Sequence, residues 1–182
     1  MKSRNIDIFI SGAGPAGLLA SISFASLGYS VICVDPHKPV THANDAGADL
    51  RTTAFLQPAK NFMQSLDLWE ELKSYAVPME IMRIIDAAGE NWPPKEKTTK
   101  DFLSSDISDL PFGWNIPNWL LRRAFTEKAN KYSNLELKFG LTTSSFIRRD
   151  DAAFVYLDDG SQIKAKLVIG ADGRSSLIRE KS

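Results

Sequence analysis

Ile6-Asp7-Ile8-Phe9-Ile10-Ser11-Gly12-Ala13-Gly14-Pro15-Ala16-Gly17 is the stretch that decides the fold. Ile6 to Ser11 is rich in β-branched and aromatic side chains and stops at a glycine, so it reads as a buried strand. A helix follows. Pro15 is tolerated in a first turn, Ala16, Leu19, Ala20, Ser23, Phe24 and Leu27 recur at helical spacing, and Gly28 supplies the stop. Val31-Ile32-Cys33-Val34 is a second apolar strand that ends at Asp35-Pro36. Strand, tight turn, helix and strand within about 30 residues is the size of a βαβ unit.

Gly12, Gly14 and Gly17 match G-x-G-x-x-G, and their place between a strand and a helix gives each a task. Gly12 makes the tight turn, Gly14 lets a diphosphate approach the backbone, and Gly17 lets the helix pack closely on the sheet. Around Pro15 and Ala16 the helix N-terminus offers free N–H groups and partial positive charge to phosphates. Asp35, at the end of the second strand, can accept hydrogen bonds from a ribose and disfavours a 2′-phosphate, which leaves NAD or FAD. The loop alone does not choose between them. The competing reading is a glycine-rich turn followed by a solvent-facing aspartate.

Composition excludes several other classes. The 182 residues carry 22 Lys+Arg against 22 Asp+Glu, so the electrostatic footprint of a nucleic-acid binder is missing. One cysteine, Cys33, cannot close an internal disulfide, which fits a reducing compartment. Cys33, His37 and His42 do not make a metal-ligand set. No stretch approaches the roughly 20 apolar residues of a transmembrane helix. The start Met1-Lys2-Ser3-Arg4-Asn5-Ile6-Asp7 lacks the apolar core of a signal peptide, so a cytoplasmic location is expected.

Beyond the first unit, residues 37–49 read as loop, and a helix is expected from near Pro58 with Phe62, Met63, Leu66 and Trp69 on its core face. Met79 to Asp86 reads as a strand, Asn91 to Asp101 as a polar loop, Leu120 to Ala129 as a helix, and Leu135 to Phe139 as a strand. Alternation between Ser144 and Leu167, with a turn at Asp158-Asp159-Gly160, predicts a β-meander. Trp69, Trp92, Trp114 and Trp119 read as core or interface residues, since no basic groove accompanies them.

The meander runs into Gly170-Ala171-Asp172-Gly173-Arg174-Ser175-Ser176-Leu177-Ile178-Arg179. Together with the glycine loop, this segment resembles the second fingerprint of the FAD-dependent aromatic hydroxylases, G-A-D-G-x-x-S-x-x-R. Asp49-Leu50-Arg51-Thr52-Thr53-Ala54-Phe55 is similar to the D-x-R-x-x-A-L segment of the ubiquinone-biosynthesis branch, and Leu66-Asp67-Leu68-Trp69 to its L-G-L-W, with Asp67 in place of the usual glycine. Met82-Arg83-Ile84 with Asp86 and Gly89, and Phe112 to Asn118, also follow that branch.

The resemblance implies an α/β fold: a Rossmann-like FAD-binding domain of the aromatic-hydroxylase type with an inserted β-meander and part of a mixed-sheet substrate domain. It implies residues 1–75 as the FAD-binding βαβ unit and following helix, 76–117 as partial substrate-domain strands, and 118–182 as a return to the FAD-binding domain. It implies FAD as cofactor, NADH or NADPH as transient reductant, and a phenolic, polyprenylated ring with O2 as substrates. Cofactor contacts are expected at Gly12, Gly14, Pro15, Ala16, Gly17, Asp35, Arg51, Asn118, Asp172 and Gly173. No catalytic residue is nominated; Arg51 is the best near-flavin candidate, against a surface ion pair, and Asn118 could equally cap the helix that follows. The family's later G-D-A-A-H motif is not matched, so the chain is expected to be an N-terminal portion or a truncated relative. Apolar faces left uncovered would then favour association or swapping, and a lipid substrate would bring peripheral membrane contact. The competing classes are an FAD-binding module without turnover and another flavin oxidoreductase such as a prenyl reductase. An NAD dehydrogenase would leave Gly170 to Arg179 unexplained.

Overall fold

The computed structural model describes residues 4–89 and 92–181. The residues before Arg4, and Asn91 of the expected polar loop, lie outside the described residues. In chain order the first elements are β1 (Arg4–Ser11), α1 (Pro15–Ser26), β2 (Val31–Asp35), β3 (Thr52–Leu56), α2 (Gln57–Ser65), α3 (Trp69–Leu72), β4 (Val77–Met79), β5 (Ile81–Ala88) and β6 (Lys95–Leu103). They are followed by β7 (Gly113–Pro117), α4 (Asn118–Ala129), β8 (Leu135–Phe139), β9 (Thr143–Arg148), β10 (Ala153–Leu157), β11 (Gln162–Gly170) and α5 (Leu177–Lys181). The chain divides into two compact units, Met1–Leu50 with Asn118–Ser182, and Arg51–Pro117. Residues 51–75, which the resemblance groups with the first segment, fall in the second unit.

The first unit is a sheet ordered β8-β2-β1-β11-β10-β9. β8, β2, β1 and β11 run parallel, while β10 and β9 fold back antiparallel as the expected meander. Buried parallel strands need apolar residues on both faces, and β2 supplies them: Val31, Ile32, Cys33 and Val34 are all buried. Ile6, Phe9, Ile32, Val34, Val155, Leu157, Ile163 and Ala165 form one core cluster. α1 packs against α4, and Leu18, Ile22, Leu121 and Phe125 are fully buried. At about 25 cal/mol per Å² of apolar area, a fully buried Leu, Ile or Phe side chain contributes about 1.5–3 kcal/mol. The α1–α4 pairing is therefore held by packing, because α1 carries no charged side chain in either terminal turn.

The second unit holds a three-stranded antiparallel sheet, β3-β7-β4, and a separate hairpin, β5-β6. Met63, Leu66, Leu68, Trp69, Leu72 and Ile116 are its buried apolar side chains among the described residues, and Trp69 meets Trp114 edge to face at 5.3 Å between centroids. The helix expected through Trp69 instead stops at Ser65 and restarts at Trp69. Asp67 lies between, at φ 55, the left-handed backbone that explains why the resembling branch usually has glycine here. Phe62, expected in the core, is 47% exposed, because the shortened helix turns only Met63 fully inward.

The polar loop expected over 91–101 is corrected too. Lys95–Leu103 pairs with β5 from Ile81↔Leu103 to Ala88↔Lys95, with a register shift between Asp86 and Ala87, and its Lys, Glu and Thr side chains face solvent. The charges that suggest a loop are those of a solvated strand whose partner lies earlier in the chain. Trp92, expected to be buried, is 91% exposed. No described helix is long and apolar enough to cross a membrane.

Asp7 crosslinks the first sheet at its lower end. Its carboxylate accepts from Lys166 Nζ at 2.7 Å, Ser30 Oγ at 2.7 Å and Ser30 N at 2.9 Å. The Lys166 ammonium, with the Ser30 donors, holds the Asp7 carboxyl well below the usual carboxylate range. A depressed folded pKa stabilises the fold above the unfolded value, near 4, and that stabilisation is lost as pH falls below it. Asp7→Asn is expected to lower the thermal midpoint at pH 7, with the gap to wild type narrowing below about pH 4. A pH series of melting curves checks this, and a gap that stays constant down to pH 3 would refute it.

Candidate cofactor site

The site is built where three backbone segments converge at the C-terminal ends of β1, β2 and β11, the edge at which open α/β sheets bind their ligands. Gly12 turns the chain out of β1 at φ 103. Its N–H donates to Val34 O at 2.7 Å, and Ala171 N donates to Ser11 O at 2.7 Å, so the glycine loop is wedged between β2 and the turn after β11. A Cβ on Gly12 would stand 2.3 Å from Ala171 O, and one on Gly17 would stand 1.8 Å from Gly12 O. Neither position tolerates a side chain.

Gly14 differs. It has ordinary extended backbone (φ −68, ψ 177), no side chain caps α1 there, and a Cβ would meet nothing within 4 Å. Pro15 occupies the first turn, where its missing N–H costs nothing, and the remaining first-turn amides around Ala16 and Gly17 have no intrahelical partner. Beyond Gly14 lies open space faced by orphan amides, the condition a diphosphate requires.

Asp35 has more to do than the sequence announces. Its Oδ2 accepts from Ala13 N at 2.7 Å and its Oδ1 from His37 N at 2.8 Å. It therefore latches the glycine loop to the end of β2, while each oxygen keeps a lone pair for a ribose hydroxyl. Asp172 follows the same pattern at the other wall. Its Oδ2 accepts from Leu177 N at 3.1 Å, and its Oδ1 is buried with no hydrogen-bond partner among the described residues. Gly173, at φ 81, bends the turn beside it. Cys33, below the loop, is a structural thiol: it donates to Gly12 O at 3.5 Å, and burial pushes its pKa up to about 12.

Two hollows flank Asp35. One, of about 360 Å³, is lined by Ala13, Gly14, Asp35, Lys38 and Arg122 among others. The other, of about 510 Å³, runs from Gly14 and Asp35 past Leu141 and Thr143 to Asp172 and Gly173. The structure thus brings Gly12, Gly14, Asp35, Asp172 and Gly173 to one region of the first unit.

Asn118 opens α4, and its side-chain amide donates to Asp49 Oδ2 at 3.0 Å, while Trp119 N donates to Asp49 O at 3.2 Å. Arg51 is exposed in the second unit, one residue before β3. Sequence reading missed Arg122. Its Nη2 lies 3.8 Å from Asp49 Oδ2, and its Nε is buried with no partner among the described residues. The available signal was its position four residues after Asn118, on the same helix face.

A parallel sheet with a glycine turn, an acid closing the next strand and a second glycine turn beside them defines a dinucleotide-binding fold. Residues 5–182 match the FAD binding domain family, and the chain belongs to it. It is 27% identical over 176 residues to ubiquinone hydroxylase UbiL of Rhodospirillum rubrum, covering 96% of this chain and 38% of that protein. It is 24% identical over 180 residues to 3-demethoxyubiquinol 3-hydroxylase of Escherichia coli, covering 99% of this chain and 44% of that protein. The chain therefore spans less than half the length of these relatives.

Among solved structures, the flavin-dependent monooxygenase PieE, in complex with FAD and substrate, superposes with TM-score 0.77 at 18% identity, covering 100% of this chain and 32% of that one. The p-nitrophenol 4-monooxygenase PnpA of Pseudomonas putida gives 0.74 at 18%, covering 98% of this chain and 44% of that one. These likenesses bear out the fold.

The glycines predict two different failures. Gly17→Ala must displace the Gly12 carbonyl and is expected to prevent a cooperative melting transition. Gly14→Ala is expected to melt like wild type yet bind FAD on the order of ten-fold more weakly or worse, because its methyl occupies the phosphate approach. Thermal melting and FAD fluorescence titration, run side by side, separate the two; equal behaviour of the variants would contradict the assignment.

Proposed function

We propose that this chain is the FAD-binding portion of an NADH- or NADPH-dependent flavoprotein monooxygenase that hydroxylates a phenolic, polyprenylated ring of the ubiquinone-precursor type. The observation that carries the cofactor half is the open face of Gly14 beside the orphan first-turn amides of α1, in a hollow that Asp35, Asp172 and Gly173 also line. The relatives named as a ubiquinone hydroxylase and a 3-demethoxyubiquinol 3-hydroxylase support the ring class.

On this reading each group has a role. First-turn amides of Ala16 and Gly17, after Pro15, face the diphosphate, with Arg122 and Lys38 supplying the cationic charge that the first turn of α1 lacks. Asp35 accepts from the adenosine ribose while holding Ala13 in place. Asp172 and Gly173 receive the sugar on the opposite wall. Asp49 keeps Asn118 and Arg122 at the rim, and Arg51 remains the candidate nearest the flavin ring. Bound FAD would supply the redox chemistry, taking a hydride from the nicotinamide and activating oxygen for an electron-rich ring. The protein would bind, orient and shield it from water. A polyprenylated substrate would bring the protein to a membrane surface.

Two measurements test this. The purified chain is expected to take up FAD with a flavin absorption spectrum, and Asp172→Asn is expected to bind it about ten-fold more weakly without losing its fold. Recovery of bound NAD in place of flavin would overturn the cofactor. In the protein that carries this domain, phenol-dependent oxidation of NADH or NADPH with oxygen uptake is expected. FAD binding with no turnover on any phenol would leave a binding module and overturn the hydroxylase half.

A further inference from the structure

Ser11 Oγ and Thr143 Oγ1 lie 3.0 Å apart and are hydrogen-bonded, although 132 positions separate them. Ser11 ends β1 and Thr143 opens β9, the far edge strand of the same sheet, so this contact folds the start of the meander back over the mouth of the parallel strands. Both residues are buried, at 5% and 4% exposure, and both line the 510 Å³ hollow beside Asp35.

A proton count exposes what the pair lacks. Two hydroxyls carry two protons, and the single bond between them uses one. No other acceptor reaches either oxygen among the described residues, so the pair holds one buried O–H donor with nowhere to donate inside the protein. A lone pair also stays free on each oxygen. The neighbouring wall is apolar, from Val34, Pro36 and Leu141, and Asp35 stands on the same hollow at the ribose position. An apolar slot ending in a spare donor and acceptor fits a flat heteroaromatic ring whose edge carries both hydrogen-bonding types.

We propose that the Ser11–Thr143 hydroxyl pair is a specificity-determining contact for the adenosine half of the dinucleotide, donating to and accepting from the edge of the adenine ring. The proposal rests on the FAD reading above and adds the residues that recognise the base. It also explains why two polar side chains sit at the buried mouth of an otherwise apolar sheet. The bound base satisfies the donor that the protein leaves idle.

The test separates recognition from a merely structural tie. In the double variant Ser11→Ala/Thr143→Val both partners become apolar, so no polar atom is orphaned in the empty protein and its thermal midpoint is expected to hold or rise. FAD and ADP are both expected to bind about ten-fold more weakly to this variant. FMN, which lacks the adenosine, is expected to bind as it does to wild type. Thr143→Ser, which keeps the hydroxyl, is expected to retain wild-type affinity for all three.

A fall in thermal midpoint with ADP binding unchanged would make the pair a structural tie and overturn the proposal, as would equal loss of FMN and ADP. If the double variant does not fold, Ser11→Ala and Thr143→Val singly carry the same comparison. Wild-type chain that binds neither FAD nor ADP would instead overturn the reading on which the pair's role depends.

Discussion

Close approach of bare backbone is the constraint on which the rest of the molecule depends. Gly12 O occupies the space a Gly17 side chain would need, and Ala171 O occupies the space a Gly12 side chain would need. These contacts bring β1, α1 and the turn after β11 closer together than any residue with a Cβ permits. The parallel pairing of β1 with β11, from Arg4↔Ile163 to Ser11↔Gly170, ends at that junction. So the meander that precedes the second glycine turn is fixed against the first turn, and the two walls of the cleft are set by one packing event. Asp35 then locks the loop from the β2 side through Ala13 N.

The same junction governs the electrostatics. α1 has neither an acidic nor a basic side chain in its terminal turns, so its field at Gly14 comes from aligned peptide dipoles and orphan amides alone. Such partial charges act over one turn of helix. Side-chain charge enters from other elements: Arg122 from α4, and Lys38 from the loop after β2. Arg122 is itself tied to Asp49, whose carbonyl and carboxylate also engage the first two residues of α4. The Asp49 carboxylate, 3.8 Å away, holds this cation in position, and its Nε has no hydrogen-bond partner among the described residues.

What could be read from the chain follows from how local each cause is. The βαβ unit, the meander and the turn at Asp172 announce themselves by patterns within about 30 residues of chain, and all are present. β3, β7 and β6 do not: Thr52–Leu56 and Gly113–Pro117 pair across the whole second unit, and Lys95–Leu103 is a strand only because Ile81–Ala88 lies beside it. Gly113 had no local pattern to mark it, yet a Cβ there would meet Phe55 O at 2.2 Å. In the site, the glycines and Asp35 were legible because a strand and a helix frame them. The Ala13–Asp35 latch, the unpaired Asp172 oxygen and the inward Arg122 Nε are properties of the folded arrangement, and only the i, i+4 offset from Asn118 hinted at the last.

Where the proposed nucleotide-binding groups lie bears on how binding relates to chemistry. Every group proposed here for the nucleotide half belongs to the first unit: the glycine loop, Asp35, Arg122, Ser11 with Thr143, and the turn at Asp172. Arg51 belongs to the second. The relatives carry more than half of their length outside the matched region. A cofactor held chiefly through its adenosine diphosphate is recognised by the sheet edge alone, whereas a reaction at the ring needs groups that shield it and orient a substrate. On the proposed reading, recognition of FAD rests on residues of the first unit and is separable from turnover of a phenol.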